Sequence, residues 1–137
     1  MKKILIIDGQ GGRMGKLLAE KLLGLQDAEL TVVGTNSAAT SAMMKAGVSR
    51  GATGENPVLV LSRDADVIAG PVCIVMADSM LGEITAKMAS AVASSGAEKV
   101  LIPVAKCQTH IAGAKDLSLA ALIDDAAAKI EQILKNS

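Results

Sequence analysis

The stretch Asp8-Gly9-Gln10-Gly11-Gly12-Arg13-Met14-Gly15 gathers four glycines, a carboxylate and a guanidinium into eight residues. It follows a short apolar run, Ile4 to Ile7, and opens a helical pattern. That is the context in which a backbone cradles phosphate. A strict G-x-G-x-x-G read from Gly9 fails at Met14, but G-x-x-G-x-x-G fits Gly9, Gly12 and Gly15. In that register Gly9 allows a tight turn, Gly12 lets the backbone approach a pyrophosphate, and Gly15 lets the helix lie close to the sheet. The helix start adds unpaired N–H groups and a positive dipole end. Gly9, Gln10, Gly11, Gly12, Arg13, Met14 and Gly15 are therefore the expected cofactor-binding loop. Asp8 opposes this reading, since its charge repels a pyrophosphate unless Arg13, Lys16 or a metal offsets it. Alternatively it is solvated or caps local N–H groups, the commoner fate of Asp in a turn. The competing account of the loop is a tight strand-to-helix turn whose glycines serve packing alone. A P-loop fits worse, because five residues rather than four separate Gly9 from Gly15, and Leu17 stands where a magnesium-binding hydroxyl belongs.

A second group of polar residues follows the second apolar run, Leu30 to Val33. Gly34-Thr35-Asn36-Ser37 carries hydroxyls and an amide but no carboxylate for a ribose diol. Thr35 and Asn36 join the expected site, and they suit a 2′-phosphate better than a bare diol, which favours NADP over NAD. Ser37 as a plain helix cap is the alternative. Gly70-Pro71 could lie backbone-first against the same ligand, or could be a simple turn. Cys73 beyond it reads as a small buried hydrophobe. Arg50 to Asn56 reads as a polar loop, either lid or surface, and Ser62-Arg63-Asp64 as a solvated turn. Cys107 and His110 could pair as nucleophile and base, but no catalytic residue is assigned. His110 is the lone histidine, too few ligands for a metal, and none is expected.

These residues need elements to hold them. Helical spacing runs from Gly12 to about Leu25, from Ser37 to Ala46, and from about Leu119 to Leu134. Val58 to Leu61, Val67 to Ala69 and Lys99 to Val104 read as further strands, and His110 to Ala112 as a short edge strand. Met76, Met80, Ile84, Met88 and Val92 are each four residues apart, which predicts one helix stripe, capped by Asp78 or Ser79 and ended by Gly96. Five or six strands alternating with helices imply right-handed crossovers and a mostly parallel sheet. The expected architecture is α/β, a Rossmann-like doubly wound sheet with helices on both faces, as a single domain over residues 1–137.

Composition narrows the function classes. With 137 residues, 14 basic and 14 acidic side chains, the formal net charge is zero. A neutral chain has no electrostatic pull toward nucleic acid or an anionic membrane. Without any Phe, Trp or Tyr it has no aromatic platform for base stacking. Two cysteines make no dense disulfide framework. No apolar stretch approaches the ~20 residues of a membrane span. A cytoplasmic protein with no nucleic-acid or membrane partner is the expectation.

Two resemblances add to this. Gly9-Gln10-Gly11-Gly12-Arg13-Met14-Gly15 closely resembles the cofactor loop of dihydrodipicolinate reductase, a nicotinamide-dependent enzyme. That likeness implies that Arg13 lies beside the cofactor. It covers this loop and helix only, with no counterpart of the reductase's substrate domain or histidine-rich motif. More widely, the chain resembles the bacterial domain of unknown function 3842 family. The likeness runs through Ile7 to Gly12, Gly34 to Asn36, Ala52 to Asn56, Gly70 to Val72 and Ala77 to Thr85. It implies a Rossmann-like fold and no assigned activity. Arg13-Met14 stands where that family leads one to expect glycine and a small apolar residue.

The leading expectation is a small module that binds a phosphate-bearing molecule, NADP(H) ahead of NAD(H), on Gly9 to Gly15 with Thr35, Asn36, Gly70 and Pro71 beside it. One alternative is an NADP-dependent reductase completed by a second subunit. The other is a ligand-free interaction module whose Met- and Ala-rich helix faces form a homodimer.

Overall fold

The computed structural model describes residues 1–104 and 108–137. Cys107, half of the Cys–His pairing considered above, lies outside the described residues. Five strands form one parallel sheet: β1 (Lys2–Asp8), β2 (Ala28–Gly34), β3 (Arg50–Thr53), β4 (Val67–Pro71) and β5 (Glu98–Ile102), in the order β3-β2-β1-β4-β5. The five helices are α1 (Arg13–Leu22), α2 (Ser37–Met44), α3 (Glu55–Leu61), α4 (Ala86–Ser94) and α5 (Leu119–Lys135), with a short 3-10 turn at Val72–Val75. This is the doubly wound order. The direction of winding reverses between β1 and β4, and ligands in such sheets bind beyond the carboxyl ends of the strands at that point.

Both faces of the central strands are buried, because side chains alternate sides along a strand and helices cover each side. Ile4 and Ile6 join one core with Leu18, Leu22, Met43, Ile123 and Ile130, from α1, α2 and α5. Leu5 and Ile7 join the other with Val58, Ile74, Ile84, Met88 and Val92. A fully buried aliphatic side chain contributes about 1.5–3 kcal/mol, and this chain builds both cores without aromatic rings. In register, Asp8 stands beside Gly34, and Gly34 beside Thr53, so the carboxyl ends of β1, β2 and β3 meet at one rim.

Several expectations fail for local reasons. Val58 to Leu61 is not a strand but the body of α3. A four-residue apolar run has no period of its own, and the signals for a helix lay upstream in Glu55 and Pro57 within the first turn. The strand lies instead at Arg50–Thr53, expected to be loop. Asn36, not Ser37, caps α2: its Oδ1 accepts the Ala39 N–H at 2.8 Å. His110 to Ala112 forms no strand. The Met76-to-Val92 stripe is not one helix. α4 begins only at Ala86 with Thr85 as its cap, and residues 76–85 fold into consecutive turns. Asp78, Met80, Leu81 and Gly82 take left-handed φ of 66°, 56°, 57° and 91°. Turn-forming Asp78, Ser79 and Gly82 outweigh the four-residue methionine spacing.

Candidate functional site

Asp8 ends β1 and is only 5% exposed. Its carboxylate turns back on its own chain. Oδ1 accepts the Gly9 N–H at 2.8 Å and Oδ2 the Gly15 N–H at 2.7 Å. The strand-end acid thus caps local N–H groups, one of the alternatives expected for it. Gly12, the residue before α1, has no side chain to do this, so Asp8 supplies a cap from four residues upstream. Burial pushes the Asp8 carboxyl above its ordinary value. The two backbone hydrogen bonds pull the other way, and the nearby Glu83 charge adds to the rise.

The glycines divide into packing and open positions. A Cβ on Gly15 would strike Met43 of α2 and meet the Asp8 Cβ at 3.0 Å. A Cβ on Gly12 would come within 2.6 Å of the Ala39 carbonyl oxygen, and Gly12 has φ 70°. Gly12 is therefore glycine because α2 crosses it, a reason distinct from the close pyrophosphate approach expected of it. A Cβ on Gly11 would meet nothing within 4 Å. Among the described residues no acceptor takes the backbone N–H of Gly11, Arg13 or Met14, and no carboxylate pairs with Arg13 or Lys16.

These groups border a cavity of about 780 Å³. Asp8 to Met14 form one wall, Pro71 and Cys73 another, and Met80, Leu81, Val104 and Leu119 complete it. It lies at the β1/β4 reversal point. Pro71 belongs to its lining, but Gly70 does not: a Cβ there would strike the Ile7 carbonyl oxygen, so Gly70 serves the contact between β4 and β1. A groove of about 560 Å³ between β5 and α5 is separate from this cavity.

Thr35 and Asn36 sit at the β2 end, but their side chains are engaged. Glu83, from the turns after β4, places Oε1 between them. It accepts the Thr35 hydroxyl, the Asn36 amide at 2.9 Å and the Gln10 backbone N–H at 2.9 Å. Asn36 also donates to the Gln10 carbonyl at 3.0 Å. Met80 lies beside Glu83 over Gly9. Neither residue belonged to the expected site. The available signal was Gly82 inside a supposed helix, which marks a turn able to bring Glu83 elsewhere. His110 is exposed, and among the described residues no cluster of three metal-ligating side chains occurs.

Partial burial pushes the Glu83 carboxyl up, but hydrogen bonds from Thr35, Gln10 and Asn36 outweigh it and hold the group below its ordinary 4.5. A lowered folded value means that this contribution is complete above about pH 4.5 and is lost as pH falls through the folded value. Acidification should therefore weaken the hydrogen bonds that Gln10, Thr35 and Asn36 make to the Glu83 carboxylate. The protection factor of the Gln10 amide, corrected for the slower intrinsic exchange in acid, should fall below about pH 4.5 in the wild type and already be low at neutral pH in Glu83→Ala. Equal protection of Gln10 in both proteins would contradict the bond.

A family model for a domain of unknown function matches residues 3–135. The chain belongs to the domain of unknown function 3842 family. This agrees with the resemblance carried by the segments from Ile7 to Thr85. No curated protein matches it. Among solved structures it is similar to a dodecameric FMN-dependent UbiX-like decarboxylase from Escherichia coli O157:H7. The two share 16% identity and a TM-score of 0.49, over 97% of this chain and 76% of the other. No helix among the described residues is long and apolar enough to cross a membrane.

Proposed function

We propose that this family member binds a phosphate-bearing small molecule of the nucleotide type in the cavity at the β1/β4 reversal point. The phosphate lies against the N–H groups of Gly11, Arg13 and Met14, and the Arg13 guanidinium supplies counter-charge. The observation that carries this reading is the set of three N–H groups, without acceptors among the described residues, on the wall of one cavity at the start of α1. Such a helix start favours anions, and the cavity falls within the ~300–1,000 Å³ range of small-molecule sites. Asp8 does not block the phosphate outright, since both its oxygens point to Gly9 and Gly15. NADP(H) and NAD(H) remain the dinucleotide form of this reading. The preference for NADP rested on Thr35 and Asn36 as phosphate donors, and both now donate to Glu83, so that preference is dropped.

Gly11→Asp tests the reading. Its Cβ enters open space, so unliganded stability should stay within ~0.5 kcal/mol of wild type. The added carboxylate beside the phosphate should weaken binding roughly tenfold or more. In a thermal-shift series with AMP, FMN, NAD and NADP, a ligand at ~100 times its Kd adds ~2.7 kcal/mol to the wild type, several degrees at this size. Gly11→Asp should lose most of that shift. An equal shift in both proteins, or none with any of the four, overturns the proposal.

A further inference from the structure

We infer that Glu83 is a specificity-determining residue that closes the β2 end of the site and limits the ligand to one phosphorylated nucleoside unit, a mononucleotide. The inference rests on the proposed nucleotide site and narrows its ligand class. In a doubly wound sheet, a dinucleotide spans the reversal point and sets one ribose at the β2 end, where a side chain holds its hydroxyls. Here three donors of that end are already used. Gln10 N–H, the Thr35 hydroxyl and the Asn36 amide, from two different strand ends, all converge on Glu83 Oε1.

The space is taken as well as the donors. One added carbon on Gly9 would meet Met80 Sδ at 2.5 Å, Thr35 Oγ1 at 2.7 Å and Glu83 Oε1 at 3.1 Å. A ribose cannot lie where a single carbon does not fit. The segment that delivers Glu83 and Met80 is tied down on its own account. Asp78 N–H donates to the Ile84 carbonyl at 2.7 Å, Ser79 Oγ to the Cys73 carbonyl at 2.7 Å, and Thr85 Oγ1 to Glu55 at 2.6 Å. Ile84, next in sequence to Glu83, is fully buried in the core. The open volume extends toward Pro71 and Leu119 with Met80 on its wall, and neither Thr35, Asn36 nor Glu83 lines it.

Calorimetric titration of the full chain with AMP, FMN, NAD and NADP decides the matter. Wild type should bind AMP or FMN at least about tenfold more tightly than NAD or NADP. Glu83→Ala should raise NAD affinity by about tenfold, leaving mononucleotide affinity within about twofold. Should Glu83→Ala fail to fold, Met80→Ala empties the same face of Gly9 and should also gain dinucleotide binding. Wild-type binding of NAD as tight as that of the mononucleotides overturns the inference and leaves the proposed site standing. So does an unchanged ratio in the folded variant. Binding of none of the four to wild type overturns the proposed site itself, and the role of Glu83 with it.

Discussion

Gly12→Ala should lower the melting temperature by about 10 °C, whereas Gly11→Ala, one residue earlier, should leave it nearly unchanged. Two costs combine at Gly12. Its φ of 70° lies in the left-handed region, where a Cβ costs ~1–2 kcal/mol. The same Cβ would press on the Ala39 backbone, with Ala39 Cα 2.8 Å away. Backbone cannot rotate aside as a side chain does, so overpacking of ~1–3 kcal/mol applies. Together they come to about 3 kcal/mol, and at several degrees per kcal/mol for a chain of this size the shift is about 10 °C. Thermal unfolding of the two variants side by side is the measurement. A Gly12→Ala protein as stable as wild type would mean that α2 does not cross the loop as described. The contrast also matters for function. A side chain at Gly12 disturbs the loop itself, so Gly11 is the position at which the proposed phosphate contact can be tested without that disturbance.

Gly70→Ala should cost about 3 kcal/mol as well, for a different reason. Gly70 is a strand residue without a left-handed φ, so strain of the backbone plays no part. Its added carbon would run into the Ile7 carbonyl oxygen of the neighbouring central strand. Ile6 pairs with Ala69 in register just before this point, so the two strands must spread where the sheet is buried on both faces. Urea unfolding should show a lower midpoint with an unchanged slope, since the same surface is exposed on unfolding. An unaltered midpoint would show that β1 and β4 do not meet as closely as here. That spreading would also reshape the cavity, because Pro71 and Asp8 border it from these two strands.

The sequence was most legible where structure depends on neighbours along the chain. The continuous apolar run from Ile4 to Ile7, the glycine loop and the start of α1 all follow from local pattern and turn chemistry. So does α5, whose Ser118 cap and apolar stripe lie within one segment. Strands alternating with helices then imply the parallel sheet, and the reversal point between β1 and β4 follows from its order. The cavity wall from Gly9 to Met14 was legible for the same reason. Where the local signal was ambiguous, the reading failed. The four apolar residues of α3 carry no period, and the evenly spaced methionines mimicked a helix that the left-handed residues Asp78, Met80, Leu81 and Gly82 interrupt.

Tertiary structure alone decided what each polar residue does. Glu83 reaches Gln10 from 73 positions away and Thr35 from 48, and no spacing rule predicts a hydrogen bond between segments that only the sheet brings together. It likewise decided why Gly12, Gly15 and Gly70 are glycine, since a side chain at each is excluded by Ala39, Met43 or Ile7 from elsewhere in the fold. Residue types and periods report the local free energy of the chain, and so reveal the elements and the loop that borders the cavity. Which donors remain open depends on contacts made only after those elements pack. That is why Thr35 and Asn36, open donors by composition, are held by Glu83 in the folded protein.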